Sequence, residues 1–237
     1  MIKKLTLAAA AALTLLSAPL TAFAQDAEPP VLVTRDSYLI VTHQDLRKCA
    51  YPMCGGYFVK AVNAASTRCA DGTQQKECHA VQLYTQALGW TPEQQATFEA
   101  QFVKGKALVR GYLEPAPAGL YTADRLTITE GWQAQGTRSA VGAFYGVKNT
   151  GIVCITTPCP SLAATKLNVM APVVNPSLDL TPSGASDKQI AAANEALNTT
   201  GILTAGVIVP FRVTSIAGKP RRDPRLLASE FYLPAKP

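Results

Sequence analysis

The stretch Ala107-Leu-Val-Arg-Gly-Tyr-Leu-Glu-Pro115 decides the fold, because the chain returns to it as Ile202-Leu-Thr-Ala-Gly-Val-Ile-Val-Pro210. Both runs alternate apolar residues around a glycine and stop at a proline, which reads as a half-buried strand. Each is preceded by a helix signal. Thr91-Pro-Glu-Gln94 gives an N-cap, a first-turn proline and a glutamine three residues after the cap; Ser186-Asp-Lys-Gln189 repeats the cap. Phe98 and Phe102 form one apolar helix face, Ile190, Ala193 and Leu197 the other, and Gly105 and Gly201 follow as terminators.

Further upstream, Cys49-Ala-Tyr-Pro-Met-Cys54 stands against Cys154-Ile-Thr-Thr-Pro-Cys159, and an asparagine follows nine residues later in each case, Asn63 and Asn168. From Asn63 to Pro115 is 52 positions, and from Asn168 to Pro210 is 42. The extra length in the first copy matches the Cys69 to Cys78 loop, which the second copy lacks. Self-similarity on this scale is the mark of a duplicated structural unit.

The remaining segments read as strands: 38–42, 56–62, 79–84, 108–114 and 126–132 in the first copy, then 143–147, 163–169, 177–180, 203–209 and 211–216 in the second. Residues 228–233 add an edge or closing strand. Each copy is therefore β-β-β-α-β-β, and the chain is mainly β with two helices (α+β). That order is the order of an OB-like barrel, whose closure removes exposed sheet edges. The division is a leader at 1–24, a linker at 25–34, and OB-like units at 35–135 and 136–237. The rival is one α+β domain whose copies share a sheet.

The leader is a secretory signal peptide. Lys3 and Lys4 open it, residues 5–16 are an apolar run, and Thr21-Ala-Phe-Ala24 places small residues before a cut at Gln25. No later segment is long and apolar enough to span a membrane, so the mature chain is expected in the periplasm or outside the cell, as a monomer. The formal net charge of +6 arises from 22 basic and 16 acidic residues. Most of the excess sits in Lys219-Pro-Arg-Arg-Asp-Pro-Arg225, a proline-broken run that reads as a solvated loop; no nucleic-acid partner is expected. Low charge and 48% hydrophobic residues exclude a disordered chain.

Six cysteines in an exported chain point to disulfides rather than to a zinc site. Fifteen pairings exist in principle. Neighbour pairing, Cys49–Cys54, Cys69–Cys78 and Cys154–Cys159, is preferred, each bond pinning a local loop.

With these motifs in place the chain resembles a family known only as a domain of unknown function in exported bacterial proteins. Arg47-Lys-Cys-Ala-Tyr-Pro-Met-Cys-Gly-Gly-Tyr-Phe-Val-Lys-Ala-Val-Asn63, Thr67-Arg-Cys-Ala-Asp-Gly72, Gly151-Ile-Val-Cys-Ile-Thr-Thr-Pro-Cys-Pro-Ser161, Leu167-Asn168 and Ala228-Ser-Glu-Phe-Tyr-Leu233 carry the resemblance. It implies export and a two-copy architecture, and it brings no catalytic residues. Tyr51-Pro-Met-Cys-Gly55 is also similar to a stretch of Kazal-type protease inhibitors, but the surrounding cysteine spacing departs from theirs.

For chemistry, the histidines are His43 and His79, each on a strand or its edge, and no hydrolase, phosphate-loop or metalloprotease motif is present. With every cysteine paired, neither a thiol nor a redox centre is expected. No enzyme activity, no cofactor and no metal are therefore expected. The expectation is a binding module, and on an OB-like face the second and third strands would present Tyr51, Tyr57, Phe58, Tyr84 and Arg110. Aromatic rings with a guanidinium suit a protein, peptide or glycan partner in the cell envelope. A structural docking protein is the alternative.

Overall fold

In a computed structural model of the chain, residues 36–155, 159–214 and 220–235 are described. The leader and the linker lie outside them. The first half runs β1 (Ser37–Gln44), β2 (Tyr57–Ala61), β3 (Thr67–Arg68), β4 (Gln74–Gln75), β5 (Cys78–Ala80), β6 (Gln82–Tyr84), a 3-10 turn (Gln86–Leu88), α1 (Pro92–Val103), β7 (Ala107–Ala118) and β8 (Tyr121–Gln135). The second half runs β9 (Ala143–Asn149), β10 (Leu162–Lys166), β11 (Ser177–Asp179), a 3-10 turn (Thr181–Ser183), α2 (Asp187–Leu197), β12 (Ile202–Thr214) and β13 (Pro220–Pro234).

Eleven of these strands form one continuous sheet, in the order β10-β9-β12-β13-β8-β7-β1-β2-β5, with β6 and β11 added in parallel to β8 and β13; β3 and β4 pair with each other as a separate small hairpin. The expected OB-like barrels do not form. Closure would need the last strand of each half to turn back on its own half. Instead those strands pair with each other, Phe231 opposite Gln135 and Pro234 opposite Trp132, so the joint consumes the edges that closure would use. Residues 228–233, expected as an edge or closing strand, are therefore central.

Two further expectations change. Residues 79–84 are not one strand: β5 pairs antiparallel with β2 and β6 pairs parallel with β8, with a break at Val81. Residues 203–209 and 211–216 are not two strands, since β12 continues through Pro210 to Thr214. The proline is tolerated because β9 covers β12 only as far as Gly206; beyond it, one flank of β12 has no ladder to lose. Pro115 and Pro117 sit in the same way on β7, which β1 covers only to Gly111.

The ladder bulges where each long hairpin leaves the sheet, between Arg110 and Gly111 and between Ala205 and Gly206. Glycine is required there by close approach: a Cβ at Gly111 would lie 2.1 Å from the Thr127 carbonyl oxygen, and one at Gly206 would lie 2.2 Å from that of Leu227.

Each helix starts on the expected capping box. The Thr91 and Ser186 hydroxyls accept from the Gln94 and Gln189 amides, and the glutamine side chains accept from the cap amides. Phe98 and Phe102 of α1 pack on Leu39, Val59, Val109 and Ile128; Ala193 and Leu197 of α2 pack on Val147, Ile202, Leu226 and Phe231. A third core lies between the halves, where Val62, Leu108 and Trp132 meet Phe144, Leu167, Leu203 and Tyr232. Burying a side chain of this size contributes roughly 1.5–3 kcal/mol.

Candidate functional site

Two asparagines hold the wings of the sheet together. Asn63 and Asn168 both adopt positive φ, 57° and 61°, a conformation that asparagine tolerates better than other residues with a Cβ. The turn that each makes after its strand points the side chain at the opposite half. Asn63 Oδ1 accepts from the Phe144 amide at 2.8 Å, while its Nδ2 donates to the Phe144 carbonyl at 2.7 Å and the Leu167 carbonyl at 3.0 Å. Asn168 answers in kind: Oδ1 accepts from the Tyr38 amide at 2.8 Å, and Nδ2 donates to the carbonyls of Tyr38 and Val62 at 2.8 and 2.9 Å. Each side chain thus stands in for a missing strand partner, and it fixes Tyr38 or Phe144 at the junction.

Above this clasp the junction has two corresponding places, built differently. Lys106 follows α1 and Gly201 follows α2, and both amides donate 2.8 Å bonds to the same turn of their helix, to the Gln101 and Ala196 carbonyls. Lys106 reaches across to β13, where its Nζ lies 2.5 Å from Oε1 of Glu230, a carboxylate only 1% exposed, and also donates to the Arg138 carbonyl. Glu230 Oε2 accepts from the Tyr232 hydroxyl at 2.6 Å. Burial and the adjacent Glu230 charge hold the Tyr232 phenol well above its ordinary range.

Gly201 offers no such plug. Its φ is +81°, and a Cβ there would lie 2.9 Å from the Val147 carbonyl oxygen, so the backbone itself disfavours a side chain. A cavity of about 520 Å3 remains, walled by Tyr38, Glu130, Trp132, Lys148, Gly201 and Pro234. Glu130 corresponds to Glu230 in the register, opposite Arg110 as Glu230 is opposite Ala205. Its Oε1 accepts from Arg110 Nη1 at 2.7 Å and its Oε2 from the Trp132 indole at 3.0 Å. Arg110 also lies 5.8 Å from the Tyr38 ring centre, and its Nε is 3.9 Å from Asp36. Bonding to Glu130 raises the Arg110 pKa; burial, then the Glu130 charge, raises that of Tyr38.

The expected ligand residues are not brought together. Arg110 is at this cleft. Tyr57 is 7% exposed, packs edge-on against Phe102 and donates to Glu99 of α1, so its ring belongs to the core. Tyr51 is exposed in the first cysteine loop, where its hydroxyl accepts from Gln82. The Tyr84 ring sits 4.5 Å beneath the Arg125 guanidinium, and its hydroxyl donates to Gln86. Phe58 is stacked between His43 at 4.4 Å and His79 at 5.0 Å. His79 Nε2 donates to the Gly55 carbonyl at 2.7 Å and lies 3.2 Å from Asp45, whose carboxyl is held far below the usual range chiefly by the Arg47 side chain.

Sequence reading passed over Tyr38, Glu130, Trp132 and Gly201 as site residues. The available signal was the alignment of Ala107–Pro115 with Ile202–Pro210: it sets Gly201 against Lys106 and reveals one position where a long side chain is replaced by none.

The cysteines pair with their neighbours, Cys49–Cys54, Cys69–Cys78 and Cys154–Cys159, at Cα separations of 5.4, 5.4 and 5.5 Å. Among the described residues no three His, Cys, Asp or Glu side chains converge as a metal site, and no helix is long and apolar enough to cross a membrane. The molecule is thus a disulfide-stabilised, mainly antiparallel β protein with two helices. Over residues 38–237 it belongs to the family described as a domain of unknown function (DUF6748). No curated protein and no solved structure matches the chain.

Proposed function

We propose that the protein is a non-enzymatic, exported binding module, formed by two copies of one unit and offering the cleft at Tyr38, Glu130 and Trp132 to its ligand. One observation carries this reading: of two corresponding places at the junction, one is filled by Lys106 and the other is left open, with a carboxylate and two aromatic side chains on its wall. Such a lining, mostly apolar with a few oriented polar groups, is the usual make-up of a small-ligand site. The three disulfides and the absence of a membrane-crossing helix among the described residues are consistent with export.

The test is a screen of short peptides and oligosaccharides read at the Trp132 indole N–H resonance, assigned with a Trp90→Phe variant. Saturable shifts at Trp132 with silence at Trp90 support the reading. Ligands that bind tightly yet move neither the Trp132 indole nor Tyr38 would sink it.

A second reading, docking to an envelope partner, is favoured at the Cys154–Cys159 loop, at whose start Val153 and Ile155 are 94% and 104% exposed. Partner-dependent protection of that loop from proteolysis, with an unperturbed Trp132, would select it.

A further inference from the structure

We propose that the open cleft binds a primary ammonium carried on an unbranched aliphatic stem, such as a lysine side chain. This deepens the cleft reading above and rests on it. The plugged place shows what the junction accepts: the stem of Lys106 crosses from the end of α1 to β13, and its ammonium meets the Oε1 of Glu230 while Oε2 is held by the Tyr232 hydroxyl. The open place keeps the same acid in the same register, with Oε2 held by the Trp132 indole and Oε1 by Arg110 from the facing strand, and has no side chain where the lysine stands. A free ligand of the same shape completes it.

The acid can accept one more donor. Glu130 receives one bond on each oxygen from the groups named above, and an ionised carboxylate offers about four acceptor positions. Arg110 already supplies one positive charge there, so the site does not resemble an unneutralised pit. The selectivity comes instead from shape and from the rings. Trp132 and Tyr38 line the cleft, and a cation seated on either ring would gain about 0.5–2 kcal/mol. Lys148, on the same wall, repels any cation in the cleft, and a doubly charged ligand more than a singly charged one. The aliphatic stem has Pro234 and Leu203 to lie against. One further consequence follows from Gly201: because a Cβ there meets the Val147 carbonyl, the chain itself is poorly suited to supply the missing lysine.

The experiment titrates the full mature protein with Nα-acetyl-lysine methylamide, Nα-acetyl-norleucine methylamide and n-butylamine, reading the Trp132 indole N–H. The lysine amide should bind at least about tenfold more tightly than the norleucine amide, which matches its stem without the charge. Glu130→Gln, which removes the charge and keeps one acceptor oxygen for Trp132 or Arg110, should erase that difference; Lys148→Ala, which removes a repelling charge from the wall, should widen it. Equal binding of n-butylamine and the lysine amide assigns the site to small free amines, and weaker binding of n-butylamine assigns it to peptide lysines. If the norleucine amide binds as well as the lysine amide, the ammonium assignment is overturned while the cleft reading stands. If no amine shifts Trp132 but a peptide or glycan from the screen does, the outcome is the same. Silence of Trp132 toward both amines and the whole screen overturns both.

Discussion

The two halves of the molecule run through the same elements, yet they differ in how the same places are filled. The first half covers the outer flank of β2 with β5, tied down by Cys69–Cys78; the second leaves β10 with a single bridge, Ala164 to Val174. At the junction the first half sends Lys106 into the second, and the second returns only Gly201. Strands, helix caps and asparagines correspond, so the shared features are those that fix the backbone. The differences fall on side chains that fill or vacate space. A scaffold of two corresponding halves can keep one such place for stability and free the other for a ligand.

The sharpest way to break this comparison is to attack the two acids in turn. Lys106→Met leaves Glu230 buried and unneutralised, and should cost about 3–5 kcal/mol in urea unfolding. Lys106→Met with Glu230→Gln should recover most of that loss. Glu130→Gln should cost about 1 kcal/mol or less, because the Arg110–Glu130 pair is only half-buried, with 42% and 35% of its side-chain surface in solvent. Equal costs for Lys106→Met and Glu130→Gln would mean that the two places are not filled and open as described.

Next in size is the clasp. Asn63→Gly and Asn168→Gly keep access to positive φ while removing three hydrogen bonds each. Each should lower stability by about 2–3 kcal/mol, since the Phe144 or Tyr38 backbone loses its partner. Replacement by aspartate keeps the acceptor and loses the donors, and should fall between. Losses within about 0.5 kcal/mol of wild type would show that the wings are held by packing alone.

The disulfides rank below. Cys154→Ser opens a six-residue loop and should cost at most about 2 kcal/mol with the fold retained, read as a modest drop in Tm; global unfolding would contradict a local clamp. The gentlest perturbation is alkali. Tyr57 is raised by burial and then by its bond to Glu99; Tyr232 is raised by burial and then by the Glu230 charge. In the unfolded chain both phenols ionise near pH 10, where the folded protein keeps them protonated. Stability is therefore full below pH 10 and declines as pH rises above it toward the folded values. Tyr57→Phe should blunt that decline.

Much of the backbone was legible in the sequence, because capping boxes, paired cysteines and the two glycine-centred strands act locally. Thr91 and Ser186 cap as expected. What could not be read was long-range pairing. Pro210 looks like a strand break until the missing flank of β12 is known, and residues 228–233 look like an edge until β8 is found beside them. The site was less legible still. Arg110 was singled out for its charge, but Glu130 gains its meaning from a strand partner, and Gly201 gains its own only from what Lys106 does across the junction.

The central claim is that the clasp joins the two halves into one cooperative body. Native-state hydrogen exchange across a urea series measures this on the amides of Leu108 and Val109 in the first half and Leu203 and Ala205 in the second. We expect both sets to exchange through one global opening, with the same free energy and the same urea slope. If the second half opens at a lower free energy and a smaller slope than the first, the halves are separate domains and the shared cleft is not a built site.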